Sequence, residues 1–200
     1  MNERIWIYDT TLRDGSQTEG IWFSVDDKLK ILTCLDSFGV DYIEGGWPSS
    51  NPKDAQFFER ARDIPLKHAK LCAFGSTRHK LRSVEKDPNL QGLVAARTEV
   101  VTIFGKAWLF HVEKILGISS RENLSLVSDS IRFLKDAGKE VIFDAEHFYD
   151  GYKEDAAYAL DVLNAAKEAG ADWLILCDTN GGTIGPVSYT HLRAHETRHD

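Results

Sequence analysis

No run of lysine or arginine occurs anywhere in this 200-residue chain, and its formal charge at pH 7 is -7. That absence argues against nucleic acid or an anionic membrane as the main partner. No stretch approaches the ~18 apolar residues that a membrane span needs. The N-terminus MNERIWIYDTT lacks the long apolar region of a secretory signal, so the cytoplasm is the expected location. Cysteines are few: Cys34, Cys72 and Cys177 are far apart, none has CxxC spacing, and each lies in or beside an apolar run. Buried, reduced thiols are expected. No GxGxxG follows the first apolar run, so a dinucleotide-binding fold has no support where it should be most visible.

What is present is an ordinary globular composition. With 42% hydrophobic and 28% charged residues the chain can bury a core, which sets disorder aside and favours one soluble domain acting on a small polar substrate. Short apolar or β-branched runs recur at Ile5–Tyr8, Tyr42–Gly45, Ala69–Phe74, Val100–Phe104, Val141–Asp144 and Trp173–Cys177. Amphipathic segments accompany them, a pattern that calls for a parallel sheet with crossover helices.

The helices are punctuated. Ser24 with Asp27 reads as a capping box, Leu29, Leu32 and Leu35 form an apolar stripe, and Gly39 ends the segment. Asn51-Pro52 places a capping side chain before a first-turn proline, ahead of Phe57, Phe58 and Ala61. Ser119 with Glu122 repeats the box before Leu124, Val127, Ile131 and Leu134, with Gly138 as the stop, and residues 154–169 ending at Gly170 read as another helix. Six such units could form a doubly wound open sheet or most of an eight-stranded barrel. Polar residues gather at the C-terminal ends of strands one, two, five and six, where a barrel builds its active site, so the expected fold is an α/β (β/α)8 TIM barrel truncated to about six βα units.

The first strand runs into Asp9-Thr10-Thr11-Leu12-Arg13-Asp14-Gly15-Ser16-Gln17, one guanidinium and two carboxylates among hydroxyl and amide groups. On spacing alone this is either a site or a structural ion pair. DTTLRDG at 9–15 resembles the signature of the acyl-CoA condensing family of isopropylmalate, homocitrate and citramalate synthases, which has relatives among the carbon–carbon lyases such as HMG-CoA lyase. YIEGGWPSSNPKD at 42–54, VVTIFGKAW at 100–108, EVIFDAEHFYDGY at 140–152 and ADWLILCDTNGG at 171–182 agree, and resemble the longer bacterial citramalate synthases more than isopropylmalate synthases. The resemblance covers nearly all of residues 4–183.

It implies a Claisen-type condensation of acetyl-CoA with an α-keto acid, pyruvate in the citramalate branch, followed by thioester hydrolysis, with a divalent metal such as Mg²⁺ or Mn²⁺. By resemblance Asp14 is a metal ligand, and Arg13 binds the keto acid and stabilises the forming alkoxide; the alternative for Arg13 is a partner for Asp14 alone. Glu146 matches the glutamate that helps remove the acetyl-CoA methyl proton, against an exposed loop carboxylate. Thr179 matches the threonine that binds the keto acid carboxylate, against a turn-capping hydroxyl. Glu44 is a member of the polar site or a buried ion-pair carboxylate. His111, seven residues after Phe104, is a pocket histidine or a surface one. The whole proteins of this family usually dimerise and carry regulatory domains.

The family's remaining metal ligands, an HxH pair on a seventh strand, have no counterpart here. After residue 185 the chain reads Pro186 to Asp200 without family pattern and resembles translated adapter sequence, so 1–185 is expected to be a partial barrel and 186–200 a non-native tail. His191, His195 and His199 share a helical spacing, but Glu196 follows the second histidine instead of lying where a HExxH zinc helix needs it. A six-unit barrel exposes the edges of strands one and six, and as an isolated piece is expected to aggregate and to turn over negligibly.

Overall fold

The computed structural model describes residues 4–183, so the expected boundary at 185 and the tail 186–200 with its three histidines lie outside the described residues. Six strands form one all-parallel sheet in sequence order. They are β1 (Tyr8–Asp9), β2 (Tyr42–Gly46), β3 (Lys70–Ser76), β4 (Val100–Lys106), β5 (Glu140–Glu146) and β6 (Trp173–Leu176). The helices are α1 (Val25–Phe38), α2 (Pro52–Ala61), α3 (Pro88–Ala95), α4 (Ser120–Asp136), α5 (Phe148–Glu154) and α6 (Ala156–Glu168), with a π-helical turn at His111–Leu116. None is long and apolar enough to cross a membrane among the described residues.

The sheet is curled. In a flat sheet β1 and β4 would stand three strand spacings apart, roughly 14 Å, yet the Tyr8 hydroxyl lies 2.6 Å from Thr102 Oγ1 on β4. Trp6, just before β1, meets Trp173 of β6 with ring centroids 5.8 Å apart. The two outer strands therefore approach across the concave side, as in a barrel short of closure.

Alternation explains which side chains fill that concavity. Tyr42, Cys72, Val100 and Ile142 cluster inside, with Tyr8 and Ile175 against them. Their odd-numbered neighbours Ile43, Ala73, Val101, Ile103, Val141, Phe143 and Ala145 pack outward on the helices in the larger cluster. Period-two alternation with both faces covered is the arrangement of a barrel strand.

The caps behave as expected. Ser24 with Asp27 and Ser119 with Glu122 form complete capping boxes, Asn51 Oδ1 caps α2, and Gly39 takes the left-handed conformation at φ 90°. Each cap is worth about 1 kcal/mol. The differences are local. The first strand was expected over Ile5–Tyr8, but the ladder with β2 begins at Tyr8, leaving Ile5, Trp6 and Ile7 exposed. Residue 154 closes α5, and Asp155 caps a separate α6. Of the three free cysteines only Cys72 is buried; Cys34 is exposed on α1 and Cys177 is half-buried.

Candidate active site

The loop after β1 is wound tightly. Backbone N–H groups of Arg13, Asp14 and Gly15 all donate to Thr10 O, and Ser16 Oγ donates to Arg13 O. Leu12, fully buried, anchors this turn in the core. Arg13 is thereby thrown across the mouth of the barrel: Nε donates to Glu44 Oε1 at 2.5 Å, Nη1 to Asp14 Oδ1 at 2.9 Å, and the guanidinium lies 3.9 Å over the Phe74 ring. Nη2 has no partner among the described residues.

Glu44 sits under this arginine. It is 0% exposed, and Oε2 accepts from the Tyr8 hydroxyl at 2.5 Å. Burial raises its pKa, against the pull of Arg13 and of the Tyr8 hydrogen bond. A bulge between Glu44 and Gly46 follows, with Gly46 at φ 146°, where a Cβ would come within 2.7 Å of the Asp54 carboxylate. The bulge delivers the next residue, Trp47, to the rim. Its backbone N–H donates to Asp54 Oδ2 at 2.9 Å, and its indole donates to Asn89 Oδ1 at 2.8 Å.

Arg13, Asp14, Trp47, Glu146 and Thr179 line one open cavity of about 490 Å³ at the C-terminal ends of the strands, together with Phe74, Phe104 and Asp144. Phe74 and Phe104 stack at 5.6 Å and both meet Trp47 edge-on at 5.8 Å, making an apolar wall. Glu146, at the end of β5, is ion-paired with Lys106 at the end of β4. His147 follows in the left-handed conformation at φ 54°, and its N–H donates to Thr179 Oγ1 at 2.9 Å. That hydrogen bond ties the β5 and β6 loops, so Glu146 and Thr179 are positioned together.

Four sequence-predicted residues, Arg13, Asp14, Glu146 and Thr179, thus share the cavity. Two do not line it. Glu44 is sealed below and reaches the cavity only through Arg13. His111 opens the π-helical turn, its ring 4.6 Å from those of Trp108 and His147, with Nδ1 buried and unpartnered; burial first, then the charges of His147 and Lys106, lowers its pKa.

Asp144 and Lys106 were not foreseen. Asp144 Oδ1 is buried without a partner, and burial followed by the charge of Glu44 pushes its pKa up to about 7. The folded chain holds a proton there that the unfolded chain releases, so stability declines as pH rises from about 4 to about 7. Asp144→Asn, which cannot ionise, is expected to be more stable than the parent near pH 8 by on the order of 2 kcal/mol, with the gain shrinking towards pH 5. Urea denaturation at both pH values checks this; an equal difference at the two would count against it.

As a metal site the described residues are partial. Asp14 presents a hard oxygen donor, 63% exposed at the cavity mouth, with Oδ2 unpaired. No group of three His, Cys, Asp or Glu able to hold an ion occurs among the described residues.

Comparison with known proteins adds to this geometry. The HMGL-like family model matches residues 4–195. The (R)-citramalate synthase of Aquifex aeolicus is 55% identical over 184 residues, 92% of this chain and 35% of that protein. The probable 2-isopropylmalate synthase of Methanopyrus kandleri is 34% identical, over 94% of this chain and 36% of that protein. The chain thus spans about a third of the length of these relatives. Among solved structures, an HMG-CoA lyase from Bacillus subtilis superposes with TM-score 0.77 at 21% identity, covering 98% of this chain and 65% of that one, which is a likeness of fold.

Proposed function

The chain belongs to the HMGL-like family, and from that premise we propose that it carries part of the catalytic barrel of an (R)-citramalate synthase. Such an enzyme condenses acetyl-CoA with pyruvate and hydrolyses the thioester, on a route towards isoleucine. The observation that carries this reading is the placing of the Arg13 guanidinium and the Glu146 carboxylate in one cavity, in a chain that stands at 55% identity to a citramalate synthase and 34% to an isopropylmalate synthase.

The side chains divide the work. Arg13 is locked by Glu44 and Asp14, so its free Nη2 meets the keto acid at little further cost in conformational freedom. The same cation stabilises the alkoxide that forms as the new carbon–carbon bond closes. Thr179 faces the keto acid carboxylate, and Glu146 takes a proton from the acetyl methyl group. The wall of Phe74, Phe104 and Trp47 meets the apolar end of the keto acid and excludes water from it. Asp14 is the described residue suited to hold a divalent metal, which when bound would polarise the keto carbonyl as a Lewis acid.

Acetyl-CoA-dependent release of CoA across a panel of keto acids, using the protein at the full length its gene encodes, tests the reading. Activity is expected with pyruvate and not with 2-oxoisovalerate or 2-oxoglutarate. Asp14→Ala is expected to weaken Mn²⁺ binding at least about tenfold, a cost of ~1.4 kcal/mol, in calorimetric titration. Turnover of 2-oxoisovalerate in preference to pyruvate would overturn the substrate assignment.

A further inference from the structure

Lys106 is a cation in a place where a proton-abstracting carboxylate does not need one. It ends β4 with its register partner Glu146 ending β5, and its ammonium is ion-paired with Glu146 Oε2. No other described side chain or carbonyl accepts from Nζ, so two of its three N–H donors are uncommitted. The side chain is 19% exposed, largely withdrawn from bulk water. Lys106 also forms part of the wall of a neighbouring cavity of about 530 Å³, whose other cationic residues are Arg78, Lys80 and Arg82. Phe104 lines both cavities, and Lys106, a wall residue of the second, reaches the edge of the first through its ion pair with Glu146.

An ammonium beside a carboxylate disfavours proton uptake. The pairing suits a base only if the same ammonium stabilises what proton removal creates. Taking a proton from a thioester's methyl group puts negative charge on the carbonyl oxygen, and without a donor aimed at that oxygen the step is slow. We propose that Lys106 is a catalytic residue for enolisation: its ammonium donates to the thioester carbonyl oxygen while Glu146 takes the methyl proton. The C–H bond breaks, its electron pair becomes the enolate C=C bond, the carbonyl π pair moves to oxygen under the Lys106 ammonium, and the proton resides on Glu146. Nothing is oxidised or reduced. The ion pair in the resting site is the arrangement that acetyl-CoA interrupts, the thioester oxygen taking one of the uncommitted Lys106 donors.

This inference rests on Glu146 being the base, and the experiment separates the two. The full-length holoenzyme in D₂O, with oxamate filling the keto acid position, is mixed with acetyl-CoA, and deuterium entering the methyl group is followed by mass spectrometry. Lys106→Met is expected to slow exchange about 10²- to 10³-fold, with KM for acetyl-CoA changed by less than about threefold. Lys106→Arg, which keeps the charge, is expected to recover much of the loss. In turnover, methyl-deuterated acetyl-CoA is expected to show a larger isotope effect in Lys106→Gln than in the parent, which a merely structural lysine would not produce. A folded Lys106→Met or Lys106→Gln protein exchanging at the parental rate would overturn the role of Lys106. Parental exchange in Glu146→Gln would overturn instead the assignment of the base.

Discussion

Arg13→Met is expected to cost about 3–5 kcal/mol of folding stability near pH 8 and to lower kcat/KM for the keto acid at least about 10²-fold. The first effect comes from Glu44, a fully buried carboxylate whose Oε1 has Arg13 as its partner and whose Oε2 has Tyr8. Its pKa already lies above the ordinary 4.5 with Arg13 present, because burial outweighs the guanidinium. Without Arg13 it rises further, so the folded state gains affinity for a proton. The cost is therefore full at pH above the variant's folded pKa and shrinks as pH falls through it towards the parent's folded pKa, below which the carboxyl is protonated in both folded proteins. Urea midpoints measured from about pH 5 to pH 8 should diverge steadily from the parent's. Parallel curves would mean that Glu44 finds another partner. Arg13→Lys separates the roles: a point charge can neutralise Glu44 but cannot hold Glu44 and Asp14 together in the fixed geometry of Nε and Nη1. It should recover stability more than activity.

Lys28→Met is expected to cost a similar ~3–5 kcal/mol, and its damage should reach the cavity. Lys28 on α1 is 1% exposed, and its ammonium donates to Asp54 Oδ1 at 2.6 Å. Burial lowers its pKa in spite of Asp54, so the pair is not a large net gain, but removing one member strands the other. Asp54 Oδ2 accepts the Trp47 N–H, and the Trp47 ring closes the aromatic wall. Loss of the lysine should thus unfix a residue of the cavity from the opposite side of β2. Lys28→Met combined with Asp54→Asn removes the stranded charge while keeping an acceptor for Trp47, and should regain part of the loss in thermal or urea denaturation. If the double variant is no more stable than the single one, the charge on Asp54 is not the cause.

The helices were legible because their ends are spelled out locally. Ser24 with Asp27 and Ser119 with Glu122 are decided within one turn of chain, and both boxes form. Helix α3 carries the same kind of signal in Asp87-Pro88, with Asp87 Oδ1 accepting from Asn89 and Leu90, but its apolar stretch is short. The π-helical turn after β4 has no comparable signal at its start, where Phe110 provides no side-chain cap.

The cavity was legible where a motif names it and not where geometry alone does. Strands four and five were expected to stop at Phe104 and Asp144, whereas pairing continues to Lys106 and Glu146. Two added residues per strand put 100, 102, 104 and 106 on one face, and 140, 142, 144 and 146 beside them. Phe104, Lys106, Asp144 and Glu146 then crowd one end of the concave side. Glu44 shows the reverse case. Its place at the end of a strand left open a member of the polar site or a buried ion-pair carboxylate, and the bulge at Gly46 with the sweep of Arg13 over it gives the buried ion pair.

Inward and outward residues of β3 to β5 are adjacent in sequence yet answer to different demands. Phe74, Phe104 and Asp144 face the cavity, while Ala73, Ile103 and Phe143, one position earlier on each strand, hold the helices. Mutation can therefore alter what this barrel accepts, strand by strand, without touching the layer that keeps it folded. Side chains that shape the cavity and side chains that anchor the helices are thus interleaved at single-residue spacing along each strand.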